Sequence, residues 1–282
     1  MLRIAVPNKG TLSKPAIEML REAGYRQRTD DRDLACLDTD NDIEFFYLRP
    51  RDIATYVGSG DLDLGITGQD LLVDGGTPVE QLLELGFAGA TFRFAAPQGT
   101  VADLGSLDGK RIATAYPGLV ERYLEERDIK ARVVELDGAV ENAVRLGVAD
   151  LIADVVATGA TLRQAGLVPI GDPIMVSEAA LIHRTGDDPA QPQVAQLLRR
   201  LQGVLVARRY VMLAYDCRAD RLDEAVALTP GIESPTVSPL HREGWVAVQA
   251  MVQRAGMHRI MDELYDIGAR AILVTDIHAC RL

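Results

Sequence analysis

Cysteine is scarce in this 282-residue chain, basic residues are outnumbered, and long apolar runs are missing. Cys36, Cys217 and Cys280 are odd in number and far apart. That excludes a disulfide framework, shows no metal-ligand spacing and points to a reducing, cytoplasmic setting. Lys and Arg total 30 against 41 Asp and Glu, a formal net charge of −11. A nucleic-acid-binding surface needs a basic footprint, so no nucleic-acid partner is expected. Anionic small molecules stay open, because a local group of Lys, Arg and N–H donors is enough for them. No apolar stretch reaches the length of a membrane span, so no membrane partner is expected. The N-terminus runs straight into a strand-like segment without a basic and then apolar leader, and no signal peptide is expected. His183, His241, His258 and His278 share no spacing and read as surface or satisfied groups.

What the chain does have is apolar content of 48%, ample for packed cores, and a length that suggests two domains or three. Strand-like and helix-like segments alternate up to about residue 205. Strands are expected at Ile4–Pro7, Asp63–Ile66, Arg111–Ala115 and Leu151–Val155, and helices at Lys14–Ala23, from Gln69 and over Leu119–Arg127. Such alternation favours parallel sheets with helices on both faces. Two internal echoes stand in the same order. Arg3-Ile-Ala-Val-Pro-Asn resembles Arg111-Ile-Ala-Thr-Ala-Tyr-Pro, and Gly60–Leu71 resembles Ala149–Leu162. They imply two similar α/β lobes, periplasmic-binding-protein-like, facing each other across a cleft into which both aim loops. Thr185-Gly-Asp-Asp-Pro reads as a turn, and Val194–Val206 has helical apolar spacing. From Tyr210 the pattern becomes β-α-β-β-α-β, a ferredoxin-like unit of about 70 residues. The expected organisation is therefore a first lobe of 1–90 plus about 180–209, a second of 91–179, and a third domain of 210–282.

The chemistry concentrates in Asp154-Val-Val-Ala-Thr158-Gly-Ala-Thr161-Leu162. A buried apolar run ends in an acid, then a Thr/Gly loop leads into helix-forming residues. Free N–H groups, two hydroxyls and a glycine that lets backbone approach make a phosphate-sized nest. An acid beside it suits a ligand with both hydroxyls and a phosphate; the plainer reading is a helix cap. Lys9 and Arg49 end first-lobe strands in Gly- or Pro-containing loops and suit phosphate oxygens. Arg51 reads as solvated or paired with Asp52. Asp70 is either a helix N-terminal acid or a nucleotide contact. Tyr116 either stacks on a base or is core, and Glu141 is either a second acid for the ribose or else a helix-surface acid or a cap.

The run Glu141-(five residues)-Gly147-Val-Ala149-Asp150-Leu-Ile152-Ala-Asp154-Val155 through Thr158-Gly159-Ala160-Thr161-Leu162 closely resembles the signature of the ATP phosphoribosyltransferase family. Pro7-Asn-Lys-Gly-Thr-Leu, Leu48-Arg-Pro-Arg-Asp-Ile, Asp63–Asp70 and Pro230-Gly-Ile-Glu-Ser-Pro-Thr236 fit it too, so the likeness spans the chain and resembles the long form with a C-terminal regulatory domain. The resemblance implies transfer of 5-phosphoribosyl from 5-phosphoribosyl 1-diphosphate to N1 of ATP, releasing diphosphate, with Mg²⁺, in the first step of histidine biosynthesis. It implies catalytic roles for Asp154, Glu141 and Lys9. It implies a phosphoribosyl-diphosphate site of Asp154, Val155, Ala157, Thr158, Gly159, Ala160, Thr161 and Leu162. It implies ATP contacts from Lys9, Arg49, Asp70, Leu71 and Tyr116. Feedback by histidine through Asp216, Ser234, Thr236 and Thr275, and dimers and hexamers, also follow from it. The reading that competes is a non-catalytic two-lobed solute-binding or sensor protein; a third is a phosphoribosyltransferase for another base.

Overall fold

A computed structural model describes residues 1–100, 104–156 and 159–281. The chain forms two compact units, Met1–Arg21 with Tyr25–Val194, and Glu22–Gly24 with Ala195–Leu282. From the N-terminus, β1 (Leu2–Pro7), α1 (Ser13–Glu22), β2 (Ala35–Asp38), β3 (Ile43–Leu48), α2 (Pro50–Gly58), β4 (Leu64–Gly68), α3 (Gln69–Gly75) and β5 (Val79–Glu84) build a first lobe. A second follows with β6 (Ala90–Pro97), β7 (Arg111–Thr114), α4 (Pro117–Glu125), β8 (Arg132–Glu135), α5 (Asn142–Arg145), β9 (Leu151–Val156), α6 (Ala160–Gln164) and β10 (Leu167–Ser177). β11 (Ala179–Arg184) returns to the first.

The strand orders are β2-β3-β1-β4-β11-β5 and β10-β6-β9-β7-β8. Reading the second backwards superimposes the lobes: β3, β1, β4, β11 and β5 occupy the places of β8, β7, β9, β6 and β10. The two sequence echoes fall on equivalent pairs, since β1 and β4 are parallel neighbours in one sheet and β7 and β9 in the other. This is the two-lobed, periplasmic-binding-protein-like architecture expected. The sheets are nonetheless mixed rather than parallel. β11 runs antiparallel to β4 and β5, and β6 antiparallel to β9 and β10. Each of these strands enters its sheet from the other lobe, a reversal that local alternation of apolar residues does not record.

Central strands are buried on both faces, and Ile4, Ala5 and Val6 are fully inaccessible. That is why they read as continuous apolar runs. α2 sits hard against β4: a Cβ at Gly65 would lie 2.5 Å from Ile53 Cγ2, so glycine sets that spacing. The hydroxyl of buried Thr67 donates to Pro50 O at 2.9 Å, pinning the start of α2 to the end of β4. His183 is neither surface nor satisfied. It is buried on β11, with Nε2 3.7 Å from Glu80 and Nδ1 unpaired among the described residues.

Then come α7 (Pro192–Arg209), β12 (Tyr210–Arg218), α8 (Leu222–Leu228), β13 (Thr236–Pro239), β14 (Trp245–Gln253), α9 (Met257–Asp266) and β15 (Arg270–Asp276). The last four strands form an antiparallel sheet in the order β13-β14-β12-β15, the ferredoxin-like arrangement. α8 and α9 cover one face through a core of Val211, Leu213, Tyr215, Val248 and Leu264. Among the described residues, no helix is long and apolar enough to cross a membrane.

Candidate active site

The ends of β1, β3 and β4 carry the first lobe's share of a cavity of ≈ 910 Å³. Lys9, Arg49, Asp70, Leu71 and Tyr116 all line it, so the chain brings together these five positions from both lobes. Lys9 follows β1. Arg49 is the N-cap of α2, extended at φ −65 and ψ 135, with Pro50 opening the helix behind it. Both are exposed and neither has an ion-pair partner among the described residues. Among the described basic residues that line the cavity they are the two outside an ion pair, since the third, Arg51, is paired.

Arg51 behaves differently from its sequence reading. It does not pair with Asp52. Its guanidinium bonds Asp74 at 3.2 Å, donates to Ala115 O at 2.5 Å and lies 4.6 Å over the Tyr116 ring. Asp74 in turn accepts from the Leu119 N–H at 3.2 Å, at the start of α4. A Cβ at Gly118 would meet Asp74 O, so the two helices touch backbone to backbone there. Arg51 and Asp74 of the first lobe thus grip the β7–α4 turn of the second, and they hold Tyr116 in place. The Tyr116 ring packs edge-on to Phe92 at 5.2 Å. Burial, and then the nearby Asp70 carboxylate, push its phenol well above the usual range.

Asp70 is buried in the first turn of α3 and bonded to Ser177. The Ser177 hydroxyl donates to Asp70 Oδ1 at 2.8 Å and accepts from Asp70 N at 3.0 Å. Ser177 lies 107 residues away, and no local signal pointed to it.

Asp154 lies inside β9, two residues before its end, and Val155 lines the cavity. Burial lifts the Asp154 carboxyl above its ordinary value, the Val155 N–H at 2.7 Å opposes this, and the Glu141 carboxylate raises it further. Glu141 precedes α5 without making a side-chain cap, so the capping alternative is not used. Gly159 takes the left-handed conformation at φ 68, which favours glycine. α6 spans only five residues, Ala160–Gln164, too short to carry a large helix dipole. Thr161 is exposed, whereas Leu162 is buried in the lobe's core and can offer a ligand only its backbone. Ala157 and Thr158 lie outside the described residues. No group of three or more His, Cys, Asp or Glu that could hold a metal ion occurs among the described residues.

In the C-terminal sheet, Asp216, Thr236 and Thr275 fall on the face opposite α8 and α9, since their neighbours Tyr215, Cys217 and Val248 fill the core. Thr236 is two strands from Asp216. Thr275 pairs with Met212, four residues along β12, about 13 Å away at a strand's rise. Ser234 is exposed in the loop before β13.

Fold and site define a two-lobed α/β protein with one cleft lined by two cations, Lys9 and Arg49, the buried Asp70 carboxylate and the Tyr116 ring. The ATP phosphoribosyltransferase family model matches residues 49–203, and the model for the C-terminal domain of the same family matches 207–279. A protein of Salinispora tropica named ATP phosphoribosyltransferase is 68% identical over the full length of both chains. One of the same name from Streptomyces coelicolor is 62% identical, again over 100% of each. Among solved structures, the ATP phosphoribosyl transferase (HisG:HisZ) complex from Thermotoga maritima matches with a TM-score of 0.63 and 29% identity, covering 73% of this chain and 98% of that one. The chain belongs to the ATP phosphoribosyltransferase family.

Proposed function

We propose that the cleft transfers 5-phosphoribosyl from 5-phosphoribosyl 1-diphosphate to N1 of ATP, releasing diphosphate, as the entry step of histidine biosynthesis in the cytoplasm. The observation that carries this is one cavity lined jointly by Lys9, Arg49, Asp70, Leu71 and Tyr116, with Val155 of β9, the neighbour of Asp154, in its wall.

Adenine N1 carries a lone pair and no proton, so attack on the ribose C1 needs no strong base. The C1–N1 bond forms as the C1–O bond breaks, and diphosphate leaves with the electron pair. The protein's part is positioning and electrostatics. Lys9 and Arg49 hold phosphate oxygens. Asp154, with Glu141 behind it, accepts hydrogen bonds from ribose hydroxyls and favours the positive charge that grows on the ring. Gly159, Ala160 and Thr161, with Thr158, hold the 5-phosphate. Asp70, Leu71 and Tyr116 face the nucleotide.

Mg²⁺ neutralises diphosphate charge in such a reaction. Such an ion, bound with the substrates, would supply charge neutralisation to the departing diphosphate while Lys9 and Arg49 hold phosphate oxygens beside it. The C-terminal sheet is read as the histidine-sensing part, through Asp216, Ser234, Thr236 and Thr275, in a homo-oligomer of dimers and hexamers.

Mixing the protein with ATP, 5-phosphoribosyl 1-diphosphate and Mg²⁺, with a diphosphatase to pull the reaction, should raise the ultraviolet absorbance of N1-substituted adenine. A flat trace would favour the non-catalytic solute-binding reading. Product from another base but none from ATP would reassign the acceptor.

A further inference from the structure

α3 begins without a cap of its own. Its N-cap is Gly68, which has no side chain to accept from the first helical N–H groups. Free N–H groups at a helix start need partners. Here they come from Ser177, the last residue of β10, and Glu178, which joins it to β11 in the second of the two passages between the lobes. Gln69 N donates to Glu178 O at 3.0 Å, and Glu178 N returns a bond to Gln69 Oε1 at 3.0 Å. Asp70 N donates to Ser177 Oγ, and the Ser177 hydroxyl donates back to Asp70 Oδ1. The exchange has the reciprocity of a capping box: the Ser177 hydroxyl takes an α3 N–H, and the Gln69 side chain takes the Glu178 N–H in return. The two partners, however, come from distant parts of the chain.

This fixes where the Asp70 carboxylate points. Its Oδ1 folds back so close over Gly68 that a Cβ at that position would collide with it. Ser177 and Asp70 are 4% and 8% exposed, so neither group can trade this bond for water without moving. From the other side, the Tyr116 phenol of the second lobe senses the same carboxylate. Asp70 therefore stands where the first lobe, the second lobe and the passage between them meet.

We infer that Ser177 is a positioning residue for nucleotide recognition: its hydroxyl holds the Asp70 carboxylate in the orientation that meets ATP and ties that orientation to the interlobe passage. The inference rests on the reading that Asp70 faces the nucleotide. Without the hydroxyl, the carboxylate loses the bond that orients Oδ1 and the Asp70 N–H loses its partner, while Gln69 N keeps Glu178 O. The cost falls on ATP and not on the phosphoribosyl donor, which is held by the other lobe.

The test uses the full-length chain, with ATP and 5-phosphoribosyl 1-diphosphate varied separately for wild type, Ser177→Ala, Ser177→Thr and Asp70→Asn. Ser177→Ala should raise the KM for ATP about tenfold, the worth of one good hydrogen bond. Its kcat and the KM for the other substrate should stay within about twofold. Ser177→Thr, which keeps the hydroxyl, should recover most of the loss. An ATP KM that rises in Asp70→Asn but not in Ser177→Ala overturns the role of Ser177 and leaves the reading of the cleft intact. An unchanged ATP KM in Asp70→Asn removes the nucleotide role of Asp70 and this inference with it. Equal losses for both substrates, unrecovered by Thr, would make Ser177 a purely structural cap and overturn the inference. Should Ser177→Ala not fold, Ser177→Cys decides. Its thiol is a weaker donor and acceptor, so an intermediate rise confined to ATP supports the inference and no rise overturns it.

Discussion

Asp154 shows how a residue can be costly to the fold and still be kept. Burial lifts its folded carboxyl above the ordinary value of 3.8. Below that pH the folded and unfolded chains both hold the proton, and nothing is lost. Above it the unfolded chain ionises freely, while the folded chain must keep the proton or carry a poorly solvated charge. Stability therefore falls as pH rises from 3.8 to the raised folded value, and stays lower beyond. Asp154→Asn should match wild type in melting temperature near pH 3.8 and gain on it at higher pH. Its kcat should drop by about 10²–10³, the scale of losing one electrostatic contact to a transition state. Melting curves across pH, read beside steady-state rates, check both; a variant that loses stability and turnover together would make Asp154 a structural acid. The sequence singles out Asp154 because it stands in a local pattern. It does not do so for Arg51, since the partner that decides its role, Asp74, lies 23 residues on and on another helix. Nothing in the Arg51-Asp52 dipeptide says that the guanidinium turns away from its neighbour.

At the scale of elements, the joint between α3 and α4 is built on one carboxylate. Asp74 takes the Leu119 N–H with one oxygen and Arg51 with the other, and its side chain is 11% exposed. Asp74→Ala should cost about 1–2 kcal/mol in denaturant unfolding, through a lost cap and an unpaired guanidinium. Asp74→Asn, which still offers one oxygen to Leu119, should lose less. Equal losses would show that the ion pair with Arg51 outweighs the cap. Helix and strand positions came through in the sequence because 3.6-residue and continuous apolar patterns are local properties. Strand direction did not. β6 and β11 are apolar segments like their neighbours, and only the path of the chain from one lobe to the other makes them antiparallel. α6 likewise is too short for its dipole to be inferred from composition.

For the whole molecule, the two-lobe plan could be read because the echo pairs keep their order along the chain and occupy matching places in the two sheets. The third domain followed from the β-α-β-β-α-β order alone. The feedback role proposed for it makes a separable prediction. Asp216 is half-buried on the helix-free face, away from the cleft residues in sequence and outside their unit. In the full-length chain, Asp216→Ala should raise the histidine concentration for half-inhibition about tenfold or more, as expected for loss of a charge-assisted bond. Uninhibited kcat should not change. Retained sensitivity would move the effector site elsewhere.

The passages between the lobes carry a mechanical consequence. Residues 85–89 and 177–179 cross side by side, joined by Leu85 N to Ala179 O at 2.9 Å and Ala179 N to Phe87 O at 3.0 Å. A single tether would let one lobe swivel freely. Two tethers laced together act like the paired leaves of a door hinge, permitting rotation about one axis and resisting twist and slide. The same crossings hand each sheet a strand that the other lobe's chain must deliver. Neither half can be completed first and docked afterwards, so the two should melt as one cooperative body.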